Sequence, residues 1–326
     1  MRIVVPAGGI GGARFLRGLK AALGTDAPAT EDQTTGSSIT VIGNTGDDIT
    51  LFGLRICPDL DTVMYTLGGG INEEQGWGRT DESFTVKEEL AAYGMQPTWF
   101  GLGDRDTATH IVRAQMLAAG YPLSAVTEAL CDRWRPGVRL LPMTDDQVET
   151  HVVVDDGQGR RAIHFQEWWI RHRAALPAEQ IISVGAESAK PAPGVLAAIA
   201  EADAVILPPS NPVVSVGSVL NVPGMREAMA GKTVVGVSPI IGGAPVRGMA
   251  DACLTAIGVE TSAGAVAEHL GSDLLDGWLV DDADEGTAVE GIEVRSRPLY
   301  MNGPEETEAI ARAAVDLAVE LAGTDR

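Results

Sequence analysis

The stretch Arg2-Ile3-Val4-Val5-Pro6-Ala7-Gly8-Gly9-Ile10-Gly11-Gly12-Ala13-Arg14-Phe15-Leu16 decides the fold. An apolar run of strand length meets a glycine-rich turn, which opens a segment with Phe15, Leu16, Leu19 and Leu23 at helical spacing. Arg2–Pro6 reads as a strand and Ala13–Leu23 as a helix. Glycines let the backbone approach a phosphate, and a helix N-terminus offers free N–H groups and the positive end of a dipole. Two familiar templates fail. A Gly-x-Gly-x-x-Gly count from Gly9 ends on Arg14, and the Gly-Lys-Ser/Thr of a Walker loop is absent. Either this is a tight strand-to-helix turn, or Gly9, Gly11 and Gly12 cradle a phosphate with charge from Arg14.

Outward from this unit the alternation repeats. Ile39–Ile42, Ile181–Val184, Ala204–Leu207 and Thr233–Val237 are short apolar runs, the pattern of strands buried on both faces of a parallel sheet. Gly194–Ala202, Met225–Ala230 and about Glu305–Leu321 read as helices, and the polar stretch Thr25–Ser38 as a surface loop. Val148–Val154 and Arg160–His164 flank Asp155-Asp156-Gly157-Gln158-Gly159, a hairpin signal, with a helix predicted over His164–Ala175. The expectation is an α/β fold: a doubly wound, mostly parallel Rossmann-like sheet with a small hairpin-plus-helix insertion. Residues 1–326 are read as a single domain, the insertion spanning about 138–178.

The 326 residues, 45% of them hydrophobic, suffice for a large core. No apolar stretch approaches the roughly 20 residues that span a bilayer, and the N-terminal run is too short for a secretory signal. A cytoplasmic protein without a membrane partner is expected. The formal net charge of −21 argues against a nucleic-acid partner. A small anionic substrate would need backbone N–H groups, a few basic side chains and a divalent cation. Cys57, Cys131 and Cys253 are widely separated, with no zinc-type spacing, and read as buried reduced thiols.

Four further segments carry candidate chemistry. Gly43-Asn44-Thr45-Gly46-Asp47-Asp48 follows the second strand, and Pro58-Asp59-Leu60-Asp61-Thr62 comes soon after. Loops after the strands of a doubly wound sheet line its crevice. Carboxylates there suit Mg2+ bridging substrate phosphates, and one of Asp59 and Asp61 is expected to cap the helix starting at Thr62. Leu102-Gly103-Asp104-Arg105-Asp106-Thr107 precedes a helix, with Asp106 or Thr107 as its cap and Asp104 a second possible contact. Leu207-Pro208-Pro209-Ser210-Asn211-Pro212 is a rigid polar strand exit suited to nucleotide binding. Ser238–Gly248, containing Gly242, repeats that pattern after the next strand. His164-Phe165-Gln166-Glu167-Trp168-Trp169 is either a stacking surface for a flat ring or a core patch under the hairpin. His110, His151, His172 and His269 show no metal-ligand spacing.

In order and density, Gly8–Arg14, Asn44–Asp48, Pro58–Thr62, Leu102–His110, His164–Trp169, Pro209–Pro212 and Ser238–Gly248 resemble the 2-phospho-L-lactate transferase family of coenzyme F-420 biosynthesis. The resemblance is to its actinobacterial phosphoenolpyruvate transferase branch. It implies transfer of a phosphoenolpyruvyl or 2-phospholactyl group from a GMP-diphosphate-linked donor. The acceptor would be the ribityl hydroxyl of 7,8-didemethyl-8-hydroxy-5-deazariboflavin, and GMP would be released. It also implies a Mg2+ cofactor and a homodimer. The family's metal and acceptor-contact acid maps onto Asp61, with Asp47 and Asp48 supporting the metal. Gly9, Gly11, Gly12, Arg14, Asn44, Asp104, Ser210, Asn211 and Gly242 would bind substrates, and Trp168 or a neighbouring aromatic would face the deazaflavin.

Two rivals remain in view. A non-catalytic nucleotide-sugar-binding regulator of the gluconeogenesis-factor type would share the Gly-rich start and the Asn-x-x-Asp-Asp loop. The Pro58–Thr62 and His164–Trp169 segments favour the transferase. An NAD(P)-dependent oxidoreductase is disfavoured by the broken fingerprint and by Asn44 and Gly46 at the end of the second strand, where a ribose-binding acid is wanted.

Overall fold

The computed structural model describes residues 1–25, 36–157 and 159–323. The loop expected over Thr25–Ser38 therefore lies largely outside the described residues, as does Gln158 in the hairpin turn. β1 (Arg2–Ala7) runs into α1 (Gly9–Ala22), and β2 (Ser38–Gly43) lies parallel beside β1, with Ile3 opposite Ile39. A tight hairpin, β3 (Ile49–Leu51) and β4 (Leu54–Ile56), hands the chain to α2 (Pro58–Leu67). Helices α3 (Thr85–Ala92), α4 (Asp104–Ala118) and α5 (Leu123–Trp134) follow, and β5 (Arg139–Pro142) returns to pair with β2.

Three strands then leave the main sheet. β6 (Glu149–Asp155), β7 (Arg160–His164) and β8 (Ala178–Val184) form an antiparallel sheet with β6 at its centre. α6 (Val195–Glu201), β9 (Ala204–Leu207), a π-helical turn (Pro212–Val216), α7 (Gly217–Leu220), α8 (Met225–Ala230) and β10 (Val234–Val237) resume the alternation. The ribbon β11 (Ile240–Ile241) and β12 (Ala244–Pro245) precedes α9 (Ala250–Ala256) and α10 (Ala263–Leu270). β13 (Gly277–Val280), β14 (Glu293–Ser296) and α11 (Pro304–Gly323) complete the order.

The seven-stranded sheet is ordered β14-β13-β10-β9-β1-β2-β5, every pairing parallel. From β1 the chain builds outward through β2 and β5; from β9 it builds outward the other way. This is the doubly wound α/β arrangement expected from the sequence. The reversal between β1 and β9 is the topological switch point, beyond whose strand ends ligands bind. Both faces of the sheet are covered. Ile3 and Val5 join one core with α1, α2, α5 and α11, while Val4 and Ile42 join the other with α6, α8 and α10, as the period of two along a strand requires. Gly18 lets α1 and α11 meet closely: a Cβ there would stand 2.3 Å from the Thr307 carbonyl oxygen.

Some local expectations need correction. Ile181–Val184 lies not in the parallel sheet but in β8, antiparallel to β6 and only half-buried. A short apolar run looks alike in both settings. β5 belongs to the main sheet, so the insertion starts later than residue 138, and its sheet runs from Glu149 to Val184. The helix predicted over His164–Ala175 is a five-residue π-turn, Glu167–Arg171.

Candidate active site

The loops at the switch point pack on one another before they offer anything to a ligand. Ser210 Oγ donates to the Gly8 carbonyl at 2.9 Å. A Cβ on Gly11 would lie 2.5 Å from the Pro209 carbonyl oxygen, and one on Gly12 would lie 2.6 Å from Ser210 Oγ. These two glycines are thus required by the seat of α1 against the Pro208–Ser210 turn. Asn211 is the cap of the π-turn, its Oδ1 accepting from the N–H groups of Val213 and Val214 at 2.9 and 3.2 Å. Gly9 adopts φ +65°, which favours glycine, and its backbone amide draws the Asp59 carboxyl down, while a Cβ on Gly8 would stand 2.4 Å from Asp59 Oδ2. Asp59 therefore sits on the N-terminus of α1, not as a cap of its own helix, whose N-cap is Cys57 without a side-chain bond.

The turn after β2 is held from three sides. Asn44 Nδ2 donates to Asp59 Oδ2 at 2.8 Å and to the Val214 carbonyl at 3.1 Å, while its Oδ1 accepts the Gly46 N–H at 2.8 Å. Asp48 Oδ2 takes bonds from Arg55 Nε and Cys57 Sγ, both at 3.0 Å. From the insertion, His164 Nε2 lies 3.0 Å from the Asp48 carbonyl, which can only accept, and the Gln166 N–H donates to His164 Nδ1 at 3.1 Å. Those partners fix a neutral ring with its proton on Nε2. Gln166 Nε2 adds a bond to the Asp47 carbonyl at 3.3 Å.

Burial dominates the charge balance here. It pushes Asp48 up to about 6 against the pull of Arg55, and Asp59 up to about 6 against its bonds from Asn44 and Gly9. Burial, with Asp59 and Asp48 nearby, carries Asp47 well above the carboxylate range. Oδ1 of Asp47 and Oδ1 of Asp48 are buried without a hydrogen-bond partner.

Asp61, in the first turn of α2, meets one face of α4. Its Oδ1 is bonded by Arg113 Nη2, and its Oδ2 lies 3.7 Å from His110 Nδ1 with no hydrogen-bond partner. His110 Nδ1 is 3.0 Å from Arg113 Nη1, and His110 Nε2 is 3.3 Å from Asp106 Oδ2, without hydrogen-bond alignment. Tyr65 OH donates to the other Asp106 oxygen at 2.7 Å. Burial raises Asp61, while Arg113 and then His110 pull it back; Arg113 is itself held above its usual value by Asp61. One potential ligand atom each from Asp61, Asp106 and His110 lies within 4.8 Å of the others.

The expected set Asp47, Asp48 and Asp61 does not close into such a group among the described residues: Asp48 is drawn to Arg55 and Asp61 to Arg113. Asp106, His110 and Arg113 recur at helical spacing on α4, a signal present in the sequence but easily taken for a solvated face.

The remaining candidates sit apart from this cluster. Asp104 caps α3, accepting from Ser83 Oγ at 2.7 Å and from the N–H groups of Thr85 and Val86 at 3.1 and 2.9 Å. Neither Asp106 nor Thr107 caps α4, whose N-cap is Gly103. Trp168 is 0% exposed and its indole N–H donates to the Leu176 carbonyl at 2.8 Å, so it presents no ring face to a ligand. Phe165 and Trp168 belong to a small apolar core cluster under the hairpin, with Trp169 partly buried against it. Gly242 has φ +57°, and its N–H donates to Asp284 Oδ2 at 3.0 Å. Arg14 faces Arg247, which burial and the Arg14 charge hold below its usual value.

Residues 3–315 match the family described as 2-phospho-L-lactate transferase CofD. The chain belongs to that family. It is 79% identical to the phosphoenolpyruvate transferase of Thermobifida fusca over 98% of this chain and 99% of that one. At the same coverage it is 67% identical to the phosphoenolpyruvate transferase of Streptomyces coelicolor and 56% identical to that of a Mycobacterium species, strain JLS. Two structures of one Bacillus halodurans protein, a member of the UPF0052 family, superpose with TM-scores of 0.61 and 0.59 at 18% identity. They cover 96% of this chain and 99% of theirs, and show a shared fold alone. Membership of the CofD family makes the chain a transferase, and the regulator reading gains no better support from these relatives.

Proposed function

We propose that this transferase moves a phosphoenolpyruvyl group from a GMP-diphosphate-linked donor to the ribityl hydroxyl of 7,8-didemethyl-8-hydroxy-5-deazariboflavin, in coenzyme F-420 biosynthesis. The observation that carries the reading is Asp61 at the switch-point crevice: a buried carboxylate, anchored by Arg113 through one oxygen and partnerless at the other. The acceptor oxygen attacks the donor phosphorus next to the three-carbon group. The P–O bond to GMP breaks, GMP leaves, and the hydroxyl proton passes to a nearby base. Positioning and charge neutralisation supply most of the acceleration in such a step. In this reading Asp61 Oδ2 orients the acceptor hydroxyl while Arg113 holds the other carboxylate oxygen and His110 stands beside it.

Mg2+ belongs to the same proposal. When bound, it would neutralise charge on the transferring phosphoryl group. The donor set fits a hard cation. Asp61 and Asp106 offer oxygen close together with His110 beside them, and Asp47 and Asp48 carry buried oxygens without a hydrogen-bond partner. Gly9–Gly12, Arg14, Asn44, Ser210, Asn211 and Gly242 line or brace the donor side, Asn44 and Asn211 by holding loops.

A cytoplasmic homodimer completes the proposal. No helix among the described residues is long and apolar enough to cross a membrane. The exposed Tyr93, Val112 and Tyr121 offer apolar surface for a second copy, which light scattering would reveal as a doubled mass. The reaction is tested by mass spectrometry of the product formed from the deazaflavin with competing enolpyruvyl and lactyl donors. The enolpyruvyl adduct with GMP release is expected. Absence of any adduct, or a lactyl adduct alone, would overturn the reading.

A further inference from the structure

The segment His164-Phe165-Gln166-Glu167-Trp168-Trp169 keeps its aromatic rings against the core, yet two of its polar members reach the turn after β2. Phe165 and Trp168 pack with Val152 and Val154 of β6 and with Val214 of the π-helical turn, which seats the segment between the insertion and the crevice. His164 and Gln166 stand on either side of Phe165. His164 Nε2 donates to the Asp48 carbonyl at 3.0 Å, and Gln166 Nε2 to the Asp47 carbonyl at 3.3 Å. β6 adds a third contact, from the Thr150 N–H to the Gly46 carbonyl at 2.6 Å. Three successive carbonyls are therefore held by the insertion. The approach is close: a Cβ on Gly46 would stand 2.8 Å from Thr150 Oγ1.

The His164 ring is itself fixed. The Gln166 N–H donates to its Nδ1 at 3.1 Å, and the His151 ring lies edge-on to it at 5.5 Å, directly across the β6–β7 ladder. Glu149 Oε2 in turn lies 3.0 Å from His151 Nε2. The carboxylates on the turn need such a hold. Asp47 and Asp48 are buried neighbours of like charge, and Oδ1 of each lacks a hydrogen-bond partner. Like charges out of water repel strongly, and an unbraced turn relieves that by swinging one of them outward. Asp48 is tethered through its side chain by Arg55 and Cys57, whereas Gln166 fixes Asp47 at its carbonyl.

We propose that His164 and Gln166 are positioning residues: by fixing the Asp47 and Asp48 carbonyls they keep the free carboxylate oxygens of this turn in one arrangement, on which the affinity for a divalent cation depends. The inference rests on the Mg2+ proposal above and gives the insertion a task within it. Loss of a partner that orients metal-binding carboxylates typically weakens the metal about 10–100-fold. The imidazole acts only as a donor, so a glutamine, whose amide nitrogen reaches about where Nε2 stands, serves in its place.

The test titrates Mn2+, followed by its paramagnetic resonance, into GDP-saturated wild-type protein, His164→Leu, His164→Gln and Gln166→Leu. Both leucine variants should raise the Mn2+ Kd roughly tenfold or more, and His164→Gln should recover most of that loss. In turnover at limiting Mg2+ the leucine variants lose rate that saturating Mg2+ returns, with the KM for the deazaflavin unchanged. Hydrogen exchange without metal gives an independent readout: the amides of residues 46–48 exchange faster in both leucine variants and at the wild-type rate in His164→Gln. Should His164→Leu not fold, Gln166→Leu carries the same test, since it leaves the imidazole in place. A wild-type Mn2+ Kd in a folded leucine variant, even with a lowered Tm, reduces these contacts to packing and overturns the proposal. Equal losses in His164→Leu and His164→Gln overturn it as well. Wild-type protein that takes up no Mn2+ beyond that bound by GDP alone overturns the Mg2+ proposal, and the positioning role with it.

Discussion

The proposed chemistry turns on one side chain, Asp61. It is buried, half-satisfied and held by a guanidinium, so its two oxygens have separate tasks. Asp61→Asn keeps the volume and removes the charge. It should lower kcat roughly 100-fold or more, the usual loss for a transition-state contact, while GDP affinity stays at the wild-type value; near-full turnover in a folded variant would refute the role. Arg113→Met leaves the Asp61 carboxylate buried without its counter-charge. Removing one partner of such a pair costs about 3–5 kcal/mol, to be read from urea denaturation. The residues alone offered Asp47, Asp48, Asp59 and Asp61 as carboxylates after the second strand, and the family resemblance singled out Asp61. The helical spacing of His110 and Arg113 was visible, but their meeting with Asp61, across 49 and 52 positions, was not, since no local pattern encodes it. Trp168 shows the opposite failure, since an aromatic-polar run reads the same whether its ring faces a ligand or the core.

Among elements, α1 and the turns around it decide whether the crevice forms. A Cβ on Gly11 meets a backbone oxygen, which cannot rotate away, so Gly11→Ala must shift α1 or the Pro209 turn. A destabilisation of roughly 1–3 kcal/mol is expected, together with weakened GDP binding; calorimetry reads both, and an unchanged Tm would contradict the packing account. The strands of the parallel sheet were legible because Ile39, Val41 and Ile42, Ala204–Leu207 and Val234–Val237 are buried and make short, largely apolar runs. The same signal misled at Ile181–Val184, where β8 lies half-exposed in the small sheet. Asp59 escaped as a partner of Gly9 because its obvious local task, capping α2, is not the one it performs.

At the scale of the molecule, a chain of net charge −21 keeps several carboxylates buried around its crevice. Asp48 and Asp59 titrate at about 6 in the folded protein against 3.8 in the reference state. A raised folded-state value means the native state binds more protons, so these two groups lower stability as pH rises from 3.8 to about 6 and contribute no further slope above it. Under the Mg2+ proposal, a divalent cation would compensate the ionised forms. The Mg2+-induced rise in Tm should therefore be clear at about pH 8 and vanish by about pH 5; equal shifts at both values would remove these acids from the metal's neighbourhood.

The close meeting of Gly18 with Thr307 also bears on how the protein is made. β1 and α1 precede by a long way the elements that cover them: the Arg2 N–H finds Asp203 across 201 positions, β9 seals the exposed edge of β1, and α11 packs on α1 from Pro304 onward. Contacts of such separation form slowly. Until β9 and α11 have joined, one edge of β1 is unsealed and the apolar face of α1 is bare, the kind of surface through which a folding chain misassociates.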